Sequence, residues 1–438
     1  MKYSILSILF VLINALAFSQ GNSPFSKFGP GDFYSSNFQS NFSRGGIGVS
    51  SFSENTLNPL NPSTYSQLTL TTGECGIYST TNFVNYENKS SFFSYANLSS
   101  FGLGLPLKKG MGFAFGLAPY SKQNYEYSFN DTLSDNNPVE YIYAGDGGLS
   151  KAFVGYGLEI KNFSFGFNGH YIFGRLNSIN KVKHPTDNPA NYNSLRIRNF
   201  SNVGGFGFNT GVQIDVELAD NSYLKLGGAF ELGKEYSTLN YTLGNYFNEQ
   251  PHLNKPEQLG DVEVHLTENI IDTQDSPEEG EIILPSQIQF GVSAGEYEKW
   301  EVSLEFRHND LSTFRFNNEI SNLGDRNSFI FGSRLVPNSK ALGKSNYWKT
   351  ITYSFGGFMG NSGYFVNNSE LREFGINFAF GLPMKKFKYQ TETFGSSVFL
   401  GFGYFNRSNS KEGLYENYLN INASIVLNDK WFIKRKFQ

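Results

Sequence analysis

Between Phe101 and Tyr120 the chain reads FGLGLPLKKGMGFAFGLAPY, and bulky apolar residues occupy every second position. Phe101, Leu103 and Leu105 alternate with Gly102 and Gly104. After a turn from Pro106 to Gly110, Phe113, Phe115 and Leu117 alternate with Gly112, Ala114, Gly116 and Ala118. Period two on both arms predicts a β-hairpin with large apolar side chains on one face and hydrogen atoms or methyl groups on the other. A soluble sheet would carry Lys, Glu, Thr or Gln on its second face, and glycine is poor in a strand interior unless something approaches closely. An apolar face toward lipid and a small, crowded face toward a lumen fit better.

The same alternation recurs near 68–80, 92–106, 111–120, 149–160, 163–175, 203–218, 222–236, 282–294, 299–312, 326–336, 346–359, 371–383, 394–405 and 414–427, which makes fourteen segments. Their connections alternate in length. Those at 106–110, 161–162, 219–221 and 295–298 are short, while 121–148, 176–202 and 237–281 predict long loops. Short turns on one rim and long loops on the other predict an all-β fold, a transmembrane antiparallel β-barrel of about 14 strands. Its wall spans 67–427, leaving 428–438 as a basic, aromatic periplasmic tail. The alternative is that Trp431 to Phe437 forms the closing strand.

Composition agrees. Aromatics make up 17% of the chain, with 44 Phe and 26 Tyr beside 4 Met, and 46 residues are Gly. That is rich in strand formers and poor in helix formers. No later window approaches 18 consecutive apolar residues, so helical spans are excluded. At the N-terminus, Lys2, the apolar run Ile5 to Ile13 and the small residues of Ala17-Phe18-Ser19 predict a cleaved signal peptide over 1–19. A membrane-anchoring helix is the alternative, but the apolar stretch is short for a span. The formal net charge of -4, or -5 without Lys2, gives no reason to expect a nucleic-acid partner.

Residues 20–66 do not alternate. Gly45, Gly46 and Gly48 permit positive φ or close passage of another chain, and Asn58-Pro59 and Asn61-Pro62 each set a turn. Irregular backbone cannot sit in lipid, so this segment must lie in the periplasm or inside the barrel, as an N-terminal hatch or plug. Arg44, the one charge in its stretch, is expected to pair with a lumen carboxylate.

Arg44-Gly45-Gly46-Ile47-Gly48 followed by Asn58-Pro59, the Leu-Ala-Pro-Tyr-Ser ending of the third strand (Leu117 to Ser121), Leu284-Pro285 and Trp300 together resemble the FadL / OmpP1 / TodX family of outer-membrane transporters, in a form associated with Bacteroidetes. The resemblance implies a fourteen-stranded barrel plugged by a hatch. It also implies uptake of hydrophobic, fatty-acid-like or aromatic small molecules, with lateral release beside a kinked third strand. The family's hatch motif is Asn-Pro-Ala, whereas here Leu60 and Ser63 follow the two prolines. Carried over, hatch control falls to Arg44, Gly45, Gly46, Gly48, Asn58, Pro59, Asn61 and Pro62, and a lateral opening to Gly116 and Pro119. Pro119 lacks an N–H and so removes one ladder bond, although it could equally just end its strand.

No metal or cofactor is expected. His170, His184, His252, His265 and His308 show no ligand spacing, and none pairs with the single Cys75. The acidic run 272–281 lacks the pattern of a calcium loop and reads as solvated loop. Gly204 to Gly207 reads as wall, and His170 as a lumen-lining polar residue. No strand-turn-helix elbow surrounds a serine, so an enzyme is not expected.

The implied partners are outer-membrane lipid and a hydrophobic ligand in a dry apolar pocket between the loops. A second role is a non-transporting barrel that serves as subunit or carrier in an outer-membrane protein export or assembly machine, as relatives of this type do. The loops at 237–281 and 313–345 favour it, as does the tail, with Trp431, Phe432, Lys434, Arg435 and Lys436 as docking residues.

Overall fold

Along Phe163–Lys183 the two faces of one strand separate: Phe163, Phe165, Phe167, Tyr171 and Phe173 are exposed, while Ser164, Asn168 and His170 are buried. Apolar outside and polar inside inverts a soluble protein and suits a lipid-facing wall around a filled lumen. The computed structural model describes residues 23–431, apart from 34–37, 43, 45, 52–54, 87–88, 134–136, 185–192, 219–220, 251–261, 274–276, 342, 385–386 and 390–391. The expected signal peptide therefore lies outside the described residues, as do Gly45 and, in the tail, Phe432, Lys434, Arg435 and Lys436.

Fourteen antiparallel wall strands follow in chain order. They are β1 (Thr71–Tyr86), β2 (Lys89–Lys108), β3 (Met111–Thr132), β4 (Pro138–Ile160), β5 (Phe163–Lys183), β6 (Ser194–Glu217), β7 (Ser222–Glu231 continued by Lys234–Gln250) and β8 (Glu278–Leu284 continued by Gln287–Glu296). The circuit goes on through β9 (Trp300–Asn309), β10 (Arg326–Leu335), β11 (Thr352–Val366), β12 (Ser369–Pro383), β13 (Ser397–Asn409) and β14 (Leu414–Asp429). Each pairs with its neighbour, and β14 pairs along its length with β1, from Thr71↔Asp429 to Tyr86↔Leu414, which closes the barrel. Closure removes the open edges that lipid would leave unsatisfied.

Three expectations fail. First, 121–148 is not a loop: β3 and β4 stay paired from Met111↔Leu158 to Thr132↔Pro138. Likewise β5 and β6 run well into 176–202. Much of 237–281 is strand, with Val262–Thr273 folded back on β7 and Glu278 onward, inside the acidic run, already in β8. Main-chain ladders hold these extensions, in which short apolar alternations such as Tyr125, Tyr127 and Phe129 stand among polar residues.

Second, the rims do not divide into short turns and long loops: on the long-loop rim the first connection is only 87–88 and the next only 133–137. On the long-loop rim β11 and β12 are joined by Asn367 and Asn368 alone, at φ 47 and 61, as in a type I′ turn. On the opposite rim, 336–351 and 384–396 are long. Third, neither 313–345 as a loop nor a strand from 346 survives: β10 occupies Arg326–Leu335, and Lys344–Asn346 and Tyr347–Thr350 are short helical turns.

Candidate functional site: the plug, its wall contacts and an adjoining cavity

The described residues between Ser23 and Gln67 lie inside the barrel, and their local structure follows from their caps. Pro24–Lys27 is a 3₁₀ turn capped by Ser23, whose Oγ accepts from the Phe25 amide at 3.1 Å. Pro62–Gln67 is a second, capped by Asn61, whose Oδ1 accepts from the Ser63 amide at 3.1 Å and the Ser63 hydroxyl at 2.6 Å. Proline at the first helical position costs nothing, because its missing N–H would be unpaired anyway. Between these turns lie the short strand Asp32–Phe33 and the single helical turn Gln39–Phe42.

Three wall carboxylates grip the plug. Glu305 on β9 accepts from three successive plug amides: Gly48 at 3.1 Å to Oε2, Val49 at 2.7 Å and Ser50 at 2.9 Å to Oε1. Glu301, two repeats of the pleat away on the same face, takes Arg44, whose Nη1 lies 4.0 Å from Oε1. Arg44 also donates to Ser51 Oγ at 2.9 Å, and Ser51 in turn donates to Glu301. Tyr223 adds a 2.6 Å bond and Arg334 approaches to 3.9 Å. Burial, helped by the charge of Arg334 and opposed by Glu301, pushes the Arg44 guanidinium down to about 10, so it stays charged at neutral pH. Glu74 on β1 accepts from the Ser40 amide at 3.0 Å and hydroxyl at 2.8 Å.

The Asn-Pro pairs are structural knots. Asn61 Nδ2 donates to Val49 O at 2.7 Å and Val212 O at 3.3 Å, and Asn58 Nδ2 donates to Gly48 O. The Pro59 carbonyl accepts from Asn168 at 2.9 Å and Asn209 at 3.3 Å. Each knot joins two plug turns to each other or to the wall.

The glycines on the lumen face have a direct cause. A methyl group on Gly112 would strike the Tyr65 carbonyl, on Gly166 the main chain of Pro62 and Ser63, on Gly227 the Val49 carbonyl, and on Gly332 the Arg44 carbonyl. Plug backbone rests directly on wall backbone there. Gly46 has φ 84, a conformation that favours glycine, and there the backbone angle rather than lack of room would oppose a side chain.

Further out, Arg407 on β13 binds Asp32 of the plug strand at 3.0 Å, Glu373 at 2.9 Å and Glu416 at 3.3 Å. Near that end the lumen is packed rather than open: Phe25 of the plug joins Leu149, Ile172, Ile282, Leu311 and Phe314 in one buried apolar cluster. The apolar space expected for a ligand is filled by the chain's own side chains.

The wall is interrupted beside the plug. The β2–β3 ladder ends at Phe101↔Leu117, while β3 runs on past Pro119 with a register break before Ser121. There β3 pairs with the plug strand instead, Asp32↔Lys122 and Phe33↔Ser121. Across the interruption, Lys122 sits 3.4 Å from the centre of the Tyr95 ring of β2. A cavity of about 220 Å³ reaches this place, bordered by Ser99 and Pro119 on one side and by Arg307, Arg326 and Arg407 on the other. Phe33, Ile330, Phe358 and Phe405 also line it, so it combines apolar walls with charge where a dry apolar pocket was expected. Gly116, just inside the last paired residue, faces the Phe101 carbonyl so closely that a side chain would not fit.

Sequence reasoning missed Glu74, Glu301, Glu305 and Arg407. The signal was present in Glu301-Val302-Ser303-Leu304-Glu305-Phe306-Arg307, where polar residues, three of them ionisable, alternate with apolar ones in a membrane strand. His170 is buried in the lumen as expected, and Trp431 is exposed. Among the described residues, no group of His, Cys, Asp and Glu is arranged to hold a metal.

A family model described as BamG matches residues 1–438. None of the curated proteins matches. Among solved structures, a Pseudomonas aeruginosa FadL homologue superposes with a TM-score of 0.55 at 10% identity, over 91% of this chain and 99% of its own. The Pseudomonas putida toluene transporter TodX gives 0.51 at 13% identity, over 91% and 98%. The CymD monoaromatic hydrocarbon channel gives 0.50 at 12% identity, over 92% and 98%. At these identities the likeness is one of fold: a FadL-type barrel.

Proposed function

The chain belongs to the BamG family, and we propose that it works in the outer membrane as a plugged barrel that admits a hydrophobic small molecule, fatty-acid-like or aromatic, and releases it sideways between β2 and β3. The observation that carries this reading is the end of the β2–β3 ladder at Phe101↔Leu117 beside a cavity bordered by Ser99 and Pro119. Ligand entering from outside would displace the outer plug, whose strand Asp32–Phe33 occupies the β3 edge, and leave through the interruption. The hatch residues Arg44, Gly45, Gly46, Gly48, Asn58, Pro59, Asn61 and Pro62 would set how readily the plug yields. Gly116 and Pro119 would keep the opening. Fold neighbours titled as a toluene transporter and a monoaromatic hydrocarbon channel support the ligand class.

The test is uptake of radiolabelled oleate and toluene by cells carrying the protein or an empty vector. Uptake above vector that falls at least by half in Pro119→Val, with the barrel still assembled, is the expected result. Uptake no higher than vector removes the transport reading.

A second reading is favoured by a different observation. The outer lumen is packed by Phe25, Leu311, Phe314 and their neighbours, and the plug is bound through buried carboxylates. A barrel so filled suits a non-transporting subunit or carrier in an outer-membrane export or assembly machine. Its tail, with Trp431, Phe432, Lys434, Arg435 and Lys436, would be the docking segment. Native mass spectrometry of protein extracted in mild detergent separates the two: a single chain with a lipid-like mass supports transport, and stoichiometric protein partners lost on deleting 430–438 support the second role.

A further inference from the structure

Of the three arginines bordering the cavity, two are neutralised. Arg326 binds Glu373 at 2.7 Å, and Arg407 binds Glu373, Glu416 and Asp32. Arg307 is different. Its Nε donates to the uncharged Gln289 Oε1 at 3.0 Å, and its Nη2 is buried with no hydrogen-bond partner. Among the described residues it forms no ion pair. The carboxylate two positions away, Glu305, is already taken up by the plug amides, the Ser50 hydroxyl and Gln289.

A guanidinium stays protonated at any physiological pH, so Arg307 is a partly buried cation with no ion-pair partner of its own among the described residues. Elsewhere along the same cavity Asn377 Nδ2 is a second buried donor with no partner. Two of the three open valences along the cavity are donors, the third being the acceptor Gln39 Oε1, and the cavity that these residues line holds about 220 Å³. That combination calls for an acceptor with negative charge.

We propose that this cavity binds an oxyanion, a carboxylate or phosphate group, at Arg307. The group could belong to a free anion or to the head of an anionic lipid, since the cavity also touches the wall interruption at Ser99 and Pro119. The site stands whether or not anything passes through the barrel.

The test is thermal unfolding of the full chain with two probes. In neutral detergent, sodium phosphate is compared with sodium chloride at equal ionic strength. In phosphatidylcholine nanodiscs, the same protein is compared with and without phosphatidylglycerol. A saturable rise in Tm with either probe, absent in Arg307→Gln, is expected. A rise with phosphate assigns a free anion, and a rise with phosphatidylglycerol alone assigns a lipid head group. No rise with either, or an equal rise in Arg307→Gln, overturns the proposal. Should Arg307→Gln fail to assemble, Arg307→Lys keeps the charge without the planar fork and is expected to weaken the apparent affinity about tenfold; an unchanged affinity there overturns it equally.

Discussion

The Val49 amide donates to Glu305 Oε1 at 2.7 Å, joining the plug to a carboxylate more than 250 residues later in the chain. Gly48 and Ser50 donate to the same group, so three successive amides converge on one charge. Such a nest is a common way to hold an anion, and here the anion is a wall side chain. Charge-assisted bonds of this kind are roughly twice as strong as neutral ones, and they lie in a lumen from which water is largely displaced.

Replacing Glu305 by Gln keeps the shape, removes the charge and turns an amide NH₂ toward donors. The plug should loosen by roughly 2 kcal/mol, with the amides of 48–50 exchanging about thirtyfold faster. Hydrogen exchange by mass spectrometry reads this directly. Unchanged protection over that peptide would refute the role given to Glu305.

Arg44→Met leaves Glu301 with Arg334, Tyr223 and Ser51 but without its plug partner. A loss of about 3 kcal/mol is expected from breaking a buried pair, and part of it should return in Arg44→Met/Glu301→Gln, which removes both buried charges and leaves only the partly exposed Arg334 without its carboxylate. A double-mutant cycle on Tm measures the coupling. Simple additivity would show that the two groups act independently.

Neighbouring glycines should behave oppositely. Gly227→Val puts a side chain into the Val49 carbonyl, whereas a methyl at Gly228 meets only Val212 and Phe290 side chains at 3.4 and 3.6 Å. Limited proteolysis should cut the plug in Gly227→Val and spare it in Gly228→Ala, with both barrels still heat-modifiable on gels. Equal resistance of the two plugs would contradict the close approach of plug and wall.

Asp32→Asn removes one of three acidic partners of Arg407 and leaves Glu373 and Glu416 in place. The cost should be modest, about 1 kcal/mol, and local. Faster exchange is expected at Asp32 and Phe33, where the plug strand meets β3, without change in β13. A global fall in stability instead would mean that Asp32 supports the wall itself.

The chain pattern alone was enough to place fourteen strands, because lipid on one side imposes a period of two that Phe163 to Phe173 displays with only Gly169 breaking the apolar series. The small face of Phe101 to Tyr120 also announced that something would press on it, and Gly112 against Tyr65 is that contact. Beyond these stretches the signal thinned. Tyr125, Tyr127 and Phe129, like Leu195 and Ile197, still stand at every second position, but in short runs among polar residues, and it is main-chain pairing that fixes Tyr125 to Thr132 and Ser194 to Asn199 as strand.

Arg44 demanded a carboxylate, since an unmatched cation cannot be buried cheaply, but only closure of the barrel decided that Glu301 would be the one. The same holds for Glu305 and the amides of 48–50, and for Arg407 and Asp32. Local pattern dictates which face each residue occupies. The partner across the lumen is set by how the wall curves and where the plug threads through it, and that information belongs to the closed tertiary structure, because the meeting groups stand hundreds of residues apart with no periodicity linking them.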